Sequence, residues 1–331
     1  MSETRDDDAG GVRPGPARRG GEPTHGRGGV LMASSVAVVI GLIVLFGALT
    51  SGGGAGKASR AAASNSLASP AAFKVELPNH AHARGWKLIF NDEFKGDSLD
   101  LNHWNPSWYG ATLTSPSDPV HPTDHACLSP AEVAVSGGEL RLSVAHKQCV
   151  TPDGKRFPWT GSLINTWSKF QFTYGLAEAR IYVPETRNGA LFDNLSFWTD
   201  GTNWPKTGEI DIAEISRGCG PKSGIAFHFH SAVADNIGAC VPMRNPGGWH
   251  TFAADWEPGR ITYFYDATDV GSTTIGITNA PMYLILSESI GNHRPLPLLL
   301  PTTARVAWVR VWQRTANAEP LLTRVGASNV S

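Results

Sequence analysis

The segment Thr207 to Ile215, TGEIDIAEI, interleaves three acids with three isoleucines. In an extended strand successive side chains point to opposite faces, so Glu209 and Asp211 share one face while Ile210 and Ile212 share the other. Strict alternation fails at the third acid, because it groups Ala213 with the acids and Glu214 with the isoleucines. A charged carboxylate on a core face is costly. Either the strand ends there, or one surplus residue near Ile212 and Ala213, a β-bulge, returns Glu214 to the acidic face. We expect the bulge, since bulges recur beside active sites, where they re-aim a side chain.

Period-2 patterning continues elsewhere from Arg84 onward, in short runs bounded by Gly, Pro, Asn and Asp. In Glu139 to Val144, Leu140, Leu142 and Val144 share a face. In Ala177 to Val183, Ala177, Ala179, Ile181 and Val183 oppose Glu178, Arg180 and Tyr182. Near the end, Ala307, Val309 and Val311 oppose Val306, Trp308, Arg310 and Trp312. No stretch carries a sustained helical stripe, so the expected fold is all-β, a two-sheet antiparallel sandwich. The chain has 28 Lys plus Arg against 29 Asp plus Glu, which gives no electrostatic basis for a nucleic-acid partner. A neutral polymer is compatible, and 11 Trp offer flat surfaces for sugar rings.

Residues 1–29 are rich in Gly, Pro, Arg and Asp and read as a disordered cytoplasmic tail. Val30 to Leu49 is twenty residues without a charge, long enough to cross a bilayer as a helix. Residues 30–50 are therefore expected to be a transmembrane signal anchor or a signal peptide. Arg13, Arg18, Arg19 and Arg27 precede the run, while Lys57 and Arg60 follow it closely. That bias favours a cytoplasmic N-terminus with the large domain outside, single-pass, or secreted if the segment is cleaved. A flexible linker at 51–72, a folded domain at 73–315 and a tail at 316–331 complete the division. The four cysteines all fall in the folded part, without zinc-site spacing. For an exported domain the simplest of the three pairings joins Cys127 to Cys149 and Cys219 to Cys240, each bond contributing about 3 kcal/mol. Four free thiols are the alternative.

With a bulge, Glu209 and Glu214 stand four strand positions apart, roughly 13 Å between Cα atoms. Two Glu side chains leaning inward from there can bring their carboxyls to the ~5–5.5 Å that retaining glycosidases use, whereas Asp side chains are too short. Glu therefore suits the two chemical roles, and Asp211 suits the place between them, orienting one Glu and sharing a proton. Two other readings compete. A merely solvated face would stack like charges at same-face positions, which destabilises a sheet. A calcium site would need ligands from more than one straight strand.

On these residues the chain resembles glycoside hydrolase family 16, the laminarinase-like β-jelly rolls. The signature is Glu209-Ile-Asp211-Ile-Ala-Glu214, in the bulged E-x-D-x-x-E form. GWKLIFNDEFKGDSLDLNHW (Gly85 to Trp104), FTYGLAEARIYVP (Phe172 to Pro184), WHTFAADWEPGRITYFYD (Trp249 to Asp266), PMYLILSESIG (Pro281 to Gly291) and VAWVRVWQR (Val306 to Arg314) agree in order. The resemblance implies a jelly-roll sandwich with a concave substrate cleft, in which Glu209 is the nucleophile, Asp211 the assisting acid and Glu214 the general acid/base. It also implies that Trp204 lines the sugar site, with a core Trp as the alternative. His228 and His230 share a strand face and are expected to bind sugar or a catalytic acid; a core histidine and a metal pair are the alternatives. Trp198 is assigned to the core. Gly189 to Trp198 departs from the family's usual stretch, so subsites there are rebuilt. At the position where many members hold a structural calcium with aspartate, this chain has Ala307; no cofactor is called for. The implied activity is endo-hydrolysis of an extracellular polysaccharide, most simply β-1,3-glucan, by a monomer. Transglycosylation, β-galactan cleavage and a catalytically dead carbohydrate-binding protein stay open.

Overall fold

The computed structural model describes residues 77–78, 84–108, 113–185, 194–216, 224–243, 245–291 and 301–316. The chain divides into two units, Met1–Ser66 and Leu67–Ser331. The first, with the expected membrane segment at 30–50, lies wholly outside the described residues, as do the linker at 51–72, the C-terminal tail beyond residue 316 and Cys219. Among the described residues no helix is long and apolar enough to cross a membrane.

Alternating sequence becomes strand in the described residues of the second unit. In chain order the strands are β1 (Trp86–Asp92), β2 (Ala126–Leu128), β3 (Val133–Ser136), β4 (Glu139–Val144), β5 (Cys149–Val150), β6 (Arg156–Phe157), β7 (Trp159–Asn165), β8 (Gly175–Val183) and β9 (Leu195–Gly201). There follow β10 (Glu209–Ser216), β11 (Gly224–Ser231), β12 (Ala234–Val241), β13 (Gly248–Glu257), β14 (Arg260–Tyr265), β15 (Thr268–Thr273), β16 (Met282–Glu288) and β17 (Thr302–Arg314). One 3₁₀ turn, Pro130–Glu132, is the helical element among the described residues.

The strands form two large sheets. One runs β15-β14-β13-β8-β17-β4-β3, with β1 also paired to β17; the other runs β12-β11-β10-β9-β16-β7-β2. Pairing is antiparallel within both, except that β2 runs parallel to β7. Side chains from the inner faces of both sheets form one core, including Leu140, Leu142, Ala177, Ile181, Phe197, Ile210, Ile212, Phe229, Tyr263 and Leu284. Each isoleucine of β10 buried there contributes about 1.5–3 kcal/mol. Those contributions fix which face of β10 turns inward.

In β17 the expected face assignment is corrected. Val306 belongs with Val309 and Val311 in the core, and Ala307 does not. The pairing of β17 with β8 shifts register between Val306 and Trp308, so a bulge at Ala307 reverses the phase of the alternation. Ala307 offers a methyl group and no ligand oxygen at the position the family resemblance assigns to calcium.

Cys127 and Cys149 form a disulfide across 22 residues, both sulfurs buried where β2 meets β5. Cys240 is also disulfide-bonded; its expected partner Cys219 lies outside the described residues. Closing a loop of that length restricts the unfolded chain. The double variant Cys127→Ser/Cys149→Ser is expected to lose about 3 kcal/mol of stability, read as a lower midpoint in urea unfolding.

Candidate active site

The acidic face of β10 depends on its register. On the β11 side, Asp211 pairs with His228 and the next pair is Glu214 with Ala226, so Ile212 and Ala213 stand opposite Phe227 alone. On the β9 side, Asp211 pairs with Trp198 and Ala213 with Phe197, which skips Ile212. The surplus residue is thus the bulge expected near Ile212 and Ala213. Ile210, Ile212, Ala213 and Ile215 all enter the core, and Glu214 returns to the side of Glu209 and Asp211. Without the bulge, Glu214 would be buried among the isoleucines at a cost of several kcal/mol.

Register places side chains in three rows across the outer face of this sheet. The first is His230, Glu209, Asp200 and Tyr283. The second is His228, Asp211, Trp198, Ile285 and Asn165. The third is Ala226, Glu214, Ser196, Ser287 and Leu163. The acids therefore form a column along β10, flanked by histidines on one side.

Each acid has its own partners. Trp204 lies in the connection between β9 and β10 and donates from Nε1 to Glu209 Oε2 at 2.5 Å. That connection is held by Asn203 N to Thr207 Oγ1 at 3.0 Å and by Gly201 N to Gly208 O at 3.2 Å. Gly208 has φ +86, and a Cβ there would meet Thr278 Oγ1 at 2.5 Å, so glycine suits the turn into β10. Trp204 is 41% exposed, which excludes the core alternative for it. His228 Nδ1 lies 2.5 Å from Glu214 Oε2, and His230 Nε2 lies 3.2 Å from Asp211 Oδ2. All six expected site residues are therefore gathered in one cluster, and neither histidine points into the core.

Burial sets the proton affinity of the column. Burial and the negative charge of Asp211 push Glu209 up to about 9, with His230 and the Trp204 hydrogen bond offsetting part of the rise. Asp211, only 4% exposed, is raised well above the ordinary range by burial and then by Glu214, while a hydrogen bond with Glu209 opposes the shift. The pair accordingly retains a proton through neutral pH.

Two contributors escaped sequence reading. Asp200 is a fourth carboxylate in the cluster, buried and directly across from Glu209, accepting from Tyr283 Oη at 3.1 Å. Its Oδ1 is buried with no hydrogen-bond partner among the described residues, and burial pushes its pKa up to about 7. In the sequence it sits in WTDGTNW and reads as a turn residue. The second is Trp198. It is buried as expected, but on the outer face beneath the acids, packed with Leu128, Leu163, Tyr283, Ile285, Trp108 and Trp167. The core assignment therefore holds, in a second apolar cluster on the outer face of this sheet, where Trp198 stacks with Trp108 at 5.6 Å and donates to Ser287 Oγ at 3.3 Å.

Asp211, Glu214 and His228 also bring ligand-type atoms within 4.8 Å of one another. His228 Nδ1 and Glu214 Oε2 lie closer than the roughly 3 Å that separates two ligands of one zinc ion. Their geometry is that of a hydrogen bond.

Residues 123–287 match the family model described as glycosyl hydrolases family 16. The chain is 28% identical over 222 residues to endo-1,3-1,4-beta-glycanase EglC of Rhizobium meliloti, covering 61% of this chain and 46% of that protein. It is 27% identical over 283 residues to glucan endo-1,3-beta-glucosidase A1 of Niallia circulans, covering 73% of this chain and 40% of that one. It thus spans less than half the length of these two relatives. The fold matches the crystal structure of an endo-beta-1,3-glucanase from Pyrococcus furiosus with a TM-score of 0.58 at 24% identity, over 70% of this chain and 95% of that one.

Asp200 supplies a pH test. Its folded pKa lies above its unfolded one, so it favours the folded state below about pH 4 and loses that contribution as pH rises towards 7. Stability is expected to decline across that window. Asp200→Asn is expected to flatten the decline by on the order of 2–4 kcal/mol, read from urea unfolding at pH 4 and pH 8.

Proposed function

This chain belongs to glycosyl hydrolases family 16, and we propose that it is a retaining endo-β-glucanase that cleaves a neutral β-1,3-linked glucan by double displacement. The observation that carries the proposal is the column of Glu209, Asp211 and Glu214 on one face of β10, restored by the bulge.

In the first step Glu209 attacks the anomeric carbon. The bond to the leaving oxygen breaks, and that oxygen takes its electron pair together with the proton of Glu214. In the second step Glu214 removes a proton from water as the water oxygen attacks the same carbon, and Glu209 departs as a carboxylate. The partners suit this division of roles. Glu214 must exchange protons twice, and it is the acid joined to the partly exposed imidazole of His228. Glu209 must be oriented and kept available as an anion. The Trp204 indole fixes one of its oxygens, and Asp211, the most buried of the three, shares a proton with it, so that attack proceeds from the form in which the proton sits on Asp211 and Glu209 is ionised. Trp204 and the half-buried Trp108, backed by Trp198, supply faces against which pyranose rings can lie.

The choice of glucan rests on relatives named as endo-1,3-1,4-beta-glycanase and glucan endo-1,3-beta-glucosidase. The same proposal places the domain outside the cytoplasm, tethered by residues 30–50 or released after cleavage there. The Cys127–Cys149 disulfide supports that location, because such bonds persist in oxidising compartments.

Glu209→Gln is expected to abolish release of oligosaccharides from β-1,3-glucan while glycan binding and the thermal unfolding curve are kept. Glu214→Gln is expected to lose about 10²–10⁴-fold in kcat. NMR of the first products should show the β-anomer before mutarotation. An α-anomer would overturn the retaining mechanism, and turnover of galactan alone, or sugar transfer in place of hydrolysis, would reassign substrate or reaction.

A further inference from the structure

The bulge that aims Glu214 leaves a gap in the sheet, and a side chain from the opposite sheet fills it. Where β10 places Ile212 and Ala213 against the single residue Phe227, regular ladder bonding is interrupted. Buried backbone carbonyls need another donor at such a point. Tyr265, on β14, reaches across the core, and its hydroxyl lies 3.1 Å from Ile212 O and 2.9 Å from Ala226 O. Ile212 is a bulge residue, and Ala226 is the cross-strand partner of Glu214.

We propose that Tyr265 is a positioning residue for the general acid/base: its hydroxyl, shared between these two carbonyls, locks the bulge in the form that presents Glu214 to the substrate. Resting on the glycosidase reading above, the inference adds a residue that touches neither substrate nor any catalytic carboxylate.

Three features fit this role. The hydroxyl carries one proton, so it can clamp both carbonyls only as a shared donor, tying the two strands together at the gap. Its ring is fixed edge-on against Phe252 at 4.9 Å, and the residue is almost wholly buried. Burial, with Glu214 and Asp211 nearby, keeps the phenol protonated and therefore able to donate. Tyr263, two residues earlier, donates to His228 O at 2.9 Å and stacks on Phe227 at 4.2 Å, bracing β11 at the residue bonded to Glu214. Strand β14 thus supports the acid/base half of the site from behind.

The test separates positioning from bulk stability by varying the leaving group. A polysaccharide alkoxide needs protonation by Glu214, whereas 2,4-dinitrophenolate leaves without it. Tyr265→Phe is expected to lower kcat/KM on β-1,3-glucan about 10-fold or more, and to change kcat/KM on the 2,4-dinitrophenyl β-glycoside of a 1,3-linked glucose disaccharide less than about twofold. Leu142→Val, a core change on β4, serves as the destabilised control and should leave the ratio of the two activities unaltered. An equal fall on both substrates in Tyr265→Phe, or no fall on either, would overturn the proposal. So would a Tyr265→Phe protein that does not fold while Leu142→Val does, because the hydroxyl would then hold the sandwich and not one side chain. Glu214→Gln run alongside distinguishes the levels of failure. If it shows no split between substrates, the acid/base assignment fails. If it shows the split and Tyr265→Phe does not, only the role of Tyr265 fails.

Discussion

A pleated strand shows one face to the core and the other outward, and in β10 the core face is committed by three isoleucines whose burial outweighs any local preference of the acids. Under that constraint, acids at the first, third and sixth positions of the strand can share a face only if one residue is surplus to the ladder. The skip at Ile212 and Ala213 supplies it. Much of the rest of the site follows. Register against β11 sets two histidines beside the column, register against β9 sets Asp200 and Trp198 on the other side, and the turn at Gly208 brings Trp204 over the first acid.

Gathering carboxylates in this way works against folding. Asp200, Glu209 and Asp211 all bind protons more tightly in the folded chain than in an unfolded one, which is a measure of how unwelcome their charges are there. The sandwich tolerates them because the inner faces of both sheets are apolar almost without interruption, and because each carboxylate has at least one hydrogen-bond donor. Strain of this kind is common where a site is built for chemistry and not for stability.

Alternation was enough to read the sandwich, the inward faces of β4 and β8, and the acidic column, since hydrophobic period is the strongest local signal a strand carries. The need for a bulge in β10 was readable for a special reason: a charged residue fell out of phase, and burial of charge is prohibitive. In β17 the out-of-phase residue is Ala307, which is indifferent to either face, so the second bulge left no trace in the sequence. Asp200 and the cleft-side placement of Trp198 were hidden differently. Each owes its role to what lies across the neighbouring strand, and strand adjacency is a property of topology that no local window contains.

The disagreement between β10 and its neighbours over residue count also bears on how such a site tolerates genetic change. Substitutions at Ile212 or Ala213 alter packing but leave the phase of the strand intact. Loss of a single residue between Asp211 and Glu214 would instead remove the surplus: plain alternation then sets all three acids on one face, with the two glutamates still four strand positions apart and the bulge gone. The phase and spacing of the acids therefore survive a one-residue deletion, and what changes is the packing around the residue that the bulge accommodates. Divergence of this strand is free in length by the one residue that the bulge absorbs.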